Sequence, residues 1–114
     1  MTASTYALRT ARAGQEGGES MPVIKVTGEI DITNAADFGT EVGALPGPRP
    51  LVLDLSNVLY LDSAGFAVID RLISEQTACL VIAPGSRTHT AAILLGMPHH
   101  ACVDAAMAAA ENRP

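Results

Sequence analysis

Hydrophobic and polar residues alternate in two segments near the N-terminus. The first runs from Thr5 to Ala11, and the second is PVIKVTGEI, which ends at Ile30; the turn-rich AGQEGGES lies between them. Alternation with a period of two places the apolar side chains on one face of a strand. The pattern therefore predicts a β-hairpin whose second strand has one exposed face and lies at or near the edge of a sheet.

Later segments carry helical rather than strand periodicity. Apolar residues recur at three- and four-residue spacing after Asn34, after Ser63 and after Ser86, which places them on one face of a helix. Thr33 or Asn34 and Ser86 are the expected N-caps of the first and third of these helices. Asp104 is expected to cap an alanine-rich fourth helix, DAAMAAAE, because alanine has the highest helix propensity.

Aliphatic runs between the helices predict buried strands. LVLDL at 51–55 and CLVIA at 79–83 have few polar positions, as expected for strands that helices cover on both faces. SNVLYLD at 56–62 is expected to be a short loop, and residues 101–103 are expected to form a last short strand. Because helical crossovers make successive strands parallel, the prediction is an α/β layered fold with a mixed, mostly parallel sheet and an N-terminal β-hairpin.

Composition narrows the class of protein. The chain has 114 residues, of which 48% are hydrophobic, and this predicts one folded domain spanning residues 1–114. No apolar run approaches the ~20 residues of a membrane span, so no membrane contact is expected. Seven Lys and Arg against twelve Asp and Glu give a net charge of -5. Nucleic-acid binding is not expected, because that function needs a basic surface.

Cysteine usage and the N-terminal residues predict a cellular location. Cys79 and Cys102 stand apart among apolar neighbours, which fits buried thiols in a reducing compartment rather than a disulfide framework. The segment MTASTYALRTARAG has no continuous apolar stretch of the kind that a secretory signal needs. A cytoplasmic protein is expected.

The most informative stretch is VLDLSNVLYLDSAGFAVID, in which Ser63 stands where a helix begins. A helix N-terminus presents unpaired backbone amides and the positive end of the helix dipole, so a serine there can cap the helix, receive a phosphate, or both. Capping alone is the commonest role of Asp and Ser at such a position. Gly65 is expected in a tight turn or at a close packing contact.

This stretch resembles the signature of STAS domains, the bacterial anti-sigma factor antagonists. The resemblance extends upstream to VTGEIDITNAADF and downstream to CLVIAPGSRTHTAAILLGM. It places the family's phosphorylatable residue at Ser63, the preceding acid at Asp62 and the acid of the strand-exit loop at Asp31. Two positions differ from the family pattern: Asn57 stands where glycine is frequent, and Ala64 where a second Ser or Thr is common, which removes a rival phosphate acceptor.

The resemblance implies a partner-switching function without catalysis. In this family the unmodified protein binds an anti-sigma factor that is also a serine kinase, and a sigma factor is released. Phosphorylation ends binding, and a serine phosphatase restores it. No cofactor is expected, because the sequence has no GxxxxGK[ST] motif and the nucleotide belongs to the kinase. The implied partner-binding residues surround the phosphorylation site: Asp31, Tyr60, Asp62, Ser63, Ala64 and Gly65.

Other interpretations of the chemistry are weaker or stay open. A serine hydrolase needs glycine two residues before its nucleophile, where this chain has Leu61. A metal site at His99, His100 and Cys102 is disfavoured because adjacent histidines rarely bind one ion. A STAS-type scaffold or transporter-associated module that binds partners without phosphorylation remains an alternative, although a stand-alone length favours the antagonist.

Two further expectations concern the residues around Ser63. Asp31 and Asp62 are candidates to orient or activate the serine hydroxyl, although exposed carboxylates are usually only solvated. Leu59 and Tyr60 are candidates for an apolar contact patch, with Tyr60 pointing outward, and Phe66 is expected in the core.

Overall fold

The structure, a computed structural model, describes residues 4–13 and 21–111 of the chain. Its strands and helices are, in chain order, β1 (Tyr6–Ala13), β2 (Met21–Ile30), α1 (Ala35–Ala44), β3 (Leu51–Leu61), α2 (Ser63–Ser74), β4 (Ala78–Val81), α3 (His89–Leu94) and α4 (Val103–Glu111). The strands form one sheet in the order β1-β2-β3-β4. The first pair is antiparallel and the others are parallel. This confirms the predicted mixed α/β fold; the hairpin turn, residues 14–20, lies outside the described residues.

One face of the sheet packs against α1 and α2. The alternating residues Ile24, Val26 and Ile30 of β2 are buried there, as their periodicity predicts. Phe38 of α1 is fully buried and meets the ring of Tyr6 edge to face, with the ring centroids 5.3 Å apart. The Tyr6 hydroxyl donates to Glu41, 2.7 Å away, and burial together with this bond raises the pKa of Tyr6 to about 12. These contacts pack the edge strand β1 against α1.

The opposite face of the sheet is covered by α4 around the first residues of β2 and β3 and the last residue of β4. Val23, Val52 and Val81 of three neighbouring strands form a second buried cluster with Ala106 of α4. Burial on both faces explains why the first residues of β3 are continuously aliphatic. None of the described helices is long and apolar enough to cross a membrane.

The loop predicted at 56–62 is wrong, because β3 continues to Leu61. This half of the strand pairs with β2 from Thr27↔Asn57 to Ile30↔Leu61. The pairing has register shifts between Lys25 and Thr27 and between Gly28 and Glu29. Such irregularities displace the alternation of inward and outward side chains, so the segment lacks the periodicity from which a strand is recognised.

Three expectations near the C-terminus also need correction. Ser86 does not cap α3: the cap position is Thr88, and the Ser86 hydroxyl is buried without a hydrogen-bond partner among the described residues. The strand expected at 101–103 is replaced by a single parallel bridge between Val81 and His100. Helix α4 already begins at Val103, so Asp104 lies in its first turn rather than at the cap.

Candidate functional site

Ser63 is the first residue of α2, and its side chain is exposed. The helix begins directly after β3, with only Asp62 between the two elements. Asp62 occupies the N-cap position in an extended conformation, and its Oδ1 accepts a hydrogen bond from the Gly65 amide at 2.9 Å. The Ser63 hydroxyl has no hydrogen-bond partner in the described part of the chain. Asp62 therefore caps α2, and Ser63 is exposed without a capping bond.

Gly65 brings the first turn of α2 against the end of β2. A Cβ atom added at this position would lie 2.5 Å from Leu61 Cδ1 and 3.0 Å from the carbonyl oxygen of Ile30. The residue is buried. The expectation of a close packing contact at Gly65 is confirmed. Because Gly65 has no side chain, the first turn of α2, which contains Ser63, can pack against the end of β2.

The loop after β2 lies beside the start of α2. The Ile32 amide donates to Asp62 Oδ2 at 3.1 Å, and the Asp62 amide donates to the carbonyl of Ile30 at 3.3 Å. Parallel pairing brings the carboxyl ends of β2 and β3 to the same edge of the sheet. The structure therefore places Asp31, in the loop after β2, beside Asp62, the N-cap of α2, and Asp31 lies in the strand-exit loop that the resemblance implied.

The Asp31 carboxylate is held by hydrogen bonds within the chain. Oδ1 accepts from the Thr33 amide at 2.8 Å and from the Thr33 hydroxyl at 2.5 Å, and Oδ2 accepts from the Ser4 hydroxyl. The hydroxyls of Ser4 and Thr33, with the Thr33 amide, lower the pKa of the Asp31 carboxyl below its ordinary value. No hydrogen bond among the described residues joins Asp31 or Asp62 to the Ser63 hydroxyl, so neither carboxylate orients that hydroxyl in this structure.

Asn34 connects this loop by hydrogen bonds to the end of β2 and to the segment before β1, a role that the sequence did not reveal. Its side chain is only 9% exposed. Its Nδ2 donates to the carbonyls of Ser4 at 3.0 Å and Glu29 at 2.9 Å, and its Oδ1 accepts from the Asp31 amide at 2.9 Å. Asn34 does stand at the N-cap of α1, as predicted, but its side chain makes no capping bond. Its carboxamide instead links residues that are distant in sequence.

Exposed apolar side chains lie on the loop after β2 and near the end of β3. Ile32 is 80% exposed, Leu59 56% and Tyr60 53%. The outward position expected for Tyr60 is confirmed, whereas the exposure of Ile32 was not foreseen. Tyr60 pairs with Glu29 across β2 and β3. Phe66 is buried in the core, as expected.

The histidines lie in a different part of the molecule and have other contacts. His99 Nδ1 is 2.9 Å from the carbonyl oxygen of Met97, and the His99 ring meets His89 edge to face with centroids 5.6 Å apart. Across the described residues, no group of three or more His, Cys, Asp or Glu side chains is arranged to hold a metal ion. Within the described part of the chain, no histidine side chain is hydrogen-bonded to a serine hydroxyl, the pairing that activates a hydrolase nucleophile.

Replacing Asp62 by alanine is expected to lower the free energy of unfolding by about 1–2 kcal/mol, the usual cost of losing a side-chain cap. Asp62→Ala removes the acceptor for both the Gly65 and Ile32 amides. Asp62→Asn keeps one acceptor oxygen and is expected to lose about half as much. Urea unfolding of both variants measures the difference. Asp70→Ala, an exposed change in the same helix, serves as the control, and equal stabilities of all three variants would contradict the capping role.

Comparison with known proteins gives a matching family and similar solved structures. A family model described as "Mlab, STAS domain" matches residues 13–98. A crystal structure of an anti-sigma factor antagonist from Mycobacterium paratuberculosis has a TM-score of 0.64 and 24% sequence identity, covering 93% of this chain and 96% of that chain. No curated protein matches the chain. At this identity the solved structure shows a shared fold, while the family model spans most of the chain. The chain therefore belongs to the STAS domain family.

Proposed function

We propose that this STAS domain is an anti-sigma factor antagonist whose partner binding is controlled by phosphorylation of Ser63. The observation that carries the proposal is the exposed Ser63 hydroxyl, which needs no capping role because Asp62 caps α2. Family membership and the fold shared with an anti-sigma factor antagonist support the same role. The site of action is the cytoplasm, where sigma factors meet RNA polymerase.

In this proposal the partner is an anti-sigma factor with serine kinase activity, and the STAS domain itself is a binding module. The Ser63 oxygen attacks the γ-phosphorus of the ATP that the kinase holds, the bond to the β,γ-bridging oxygen breaks, and ADP leaves. Because Asp31 and Asp62 make no hydrogen bond to the hydroxyl, we assign removal of its proton to a base of the kinase. A serine phosphatase hydrolyses the phosphoester and restores the binding form.

The added phosphate changes the surface rather than the fold. Phosphoserine carries about -1.5 to -2 charges at neutral pH, and at Ser63 it follows directly after Asp62, whose carboxylate accepts the Ile32 amide. The N-terminus of α2 stabilises the phosphate within the domain through its free amides and dipole. A partner group that packs against the unmodified hydroxyl meets instead a hydrated anion, so binding weakens.

Mass spectrometry after incubation with an anti-sigma kinase of the source organism, Mg²⁺ and ATP tests the phosphorylation step. We expect one phosphoryl group at Ser63 in the wild type and none in Ser63→Ala. Ser74, an exposed serine at the other end of α2, is the internal control and is expected to stay unmodified. Partner capture with no modification of Ser63 would contradict the switch and favour a STAS scaffold that binds without a phosphorylation cycle.

A further inference from the structure

The segment that precedes β1 is hydrogen-bonded to the loop of residues 31–34, which lies beside the start of α2. The Ser4 hydroxyl donates to Asp31 Oδ2, and the Ser4 carbonyl accepts from Asn34 Nδ2 at 3.0 Å. One residue later, the carbonyl of Thr5 accepts from the Glu29 amide at 2.8 Å. These bonds join residues that lie more than twenty positions apart in the sequence. The N-terminal segment is therefore part of the structure that surrounds the candidate site.

The hydrogen bonds continue from this loop to the start of α2. Asp31 and Asn34 bracket Ile32, whose amide donates to Asp62 Oδ2. The other oxygen of Asp62 accepts from the Gly65 amide in the first turn of the helix. Ser4 is thus connected to the residues flanking Ser63 through a short series of contacts, each of which has a defined donor and acceptor.

We propose that Ser4 is a positioning residue for the surface around Ser63, and that it holds the loop of residues 31–34 so that Ile32 lies against Asp62. Thr33 also binds the Asp31 carboxylate, but it belongs to the same loop and moves with it. Ser4 comes from the segment before β1, so its hydroxyl joins the Asp31 carboxylate to a residue outside the loop, in addition to the bonds that Asn34 makes to the Ser4 and Glu29 carbonyls. The inference that this contact affects partner binding rests on the proposed function.

Two measurements on the free protein test the positioning role. In Ser4→Ala we expect the Asp31 carboxyl pKa, followed by NMR, to rise toward the ordinary value of about 3.9. We also expect amide hydrogen exchange of Ile32 and Thr33 to become about three- to tenfold faster. Ser4→Thr keeps a hydroxyl and is expected to restore both values. Ser74→Ala, which removes a serine hydroxyl bonded to the Asp70 carbonyl in α2, is expected to change neither.

Unchanged Asp31 titration and loop exchange in Ser4→Ala would overturn the inference. A second arm measures affinity for the anti-sigma factor, where we expect a loss of about three- to tenfold in Ser4→Ala and recovery in Ser4→Thr. A loosened loop with wild-type affinity would overturn the role of Ser4 in binding. If the wild type binds no anti-sigma factor, the proposed function fails, while the measurements on the free protein still decide whether Ser4 holds the loop.

Discussion

Ser63→Glu is expected to weaken binding of the anti-sigma factor by about 10- to 100-fold, whereas Ser63→Ala is expected to bind as tightly as the wild type. The glutamate places a fixed negative charge at the start of α2, beside Asp62, where the structure holds a neutral, exposed hydroxyl. Like charges at an interface cost roughly 1–3 kcal/mol, which corresponds to this range of affinities. Alanine removes only a hydroxyl that makes no described contact.

Two controls separate charge from shape. Ser63→Gln has nearly the volume of glutamate without its charge and is expected to retain most of the affinity that Ser63→Glu loses. Ser74→Glu adds the same charge at the exposed end of α2 away from the site and is expected to bind normally. Isothermal titration calorimetry at low and high salt measures the wild type and all four variants, and the affinity lost in Ser63→Glu should shrink as the salt concentration rises. Equal, tight binding by Ser63→Ala and Ser63→Glu would refute the switch.

Local periodicity was sufficient to predict β2, α1 and α2, three of the elements around the site. The alternation in PVIKVTGEI and the helical spacing after Asn34 and Ser63 are set by which side chains face the core, and the structure buries those residues. The position of Ser63 at a helix start follows from the same spacing, because the residue precedes the first apolar position of α2. Local sequence thus placed Ser63 at the start of a helix, while its assignment as the candidate phosphorylation site came from the resemblance to the STAS family.

The features that sequence missed depend on contacts between distant segments. The second half of β3 is held in the sheet by irregular pairing with β2, which leaves no regular alternation to recognise. Asn34 and Ser4 act through hydrogen bonds to residues of other elements. Neither role can be recognised from the neighbouring sequence, because Asn and Ser are frequent in turns whether or not their side chains bond to distant residues. The sequence therefore placed Ser63 but not the network that supports the loop beside it.

Gly28→Ala is expected to lower the free energy of unfolding by about 3–5 kcal/mol, the largest stability effect we anticipate. Gly28 has a φ of +90°, and an added Cβ would lie 2.4 Å from the Thr5 carbonyl oxygen and 3.0 Å from the Tyr6 Cα. Both neighbours are backbone atoms of the paired strand and its leading residue, so no side-chain rotation relieves the contact. An unfavourable φ costs roughly 1–3 kcal/mol, and overpacking typically adds about as much.

The same substitution acts on the candidate site, because Thr5 is displaced by the new methyl group. Its carbonyl accepts the Glu29 amide at 2.8 Å, and the adjacent Ser4 binds Asp31. Gly43→Ala is the matched control: it lies within α1, has nothing within 4 Å of an added Cβ, and is expected to stabilise the protein by about 0.5–1 kcal/mol. Urea unfolding of both variants gives the comparison. If Gly28→Ala is as stable as the wild type, β1 and the segment before it can shift at little cost in free energy. That result would contradict the proposal that Ser4 holds the loop of residues 31–34 in a fixed position.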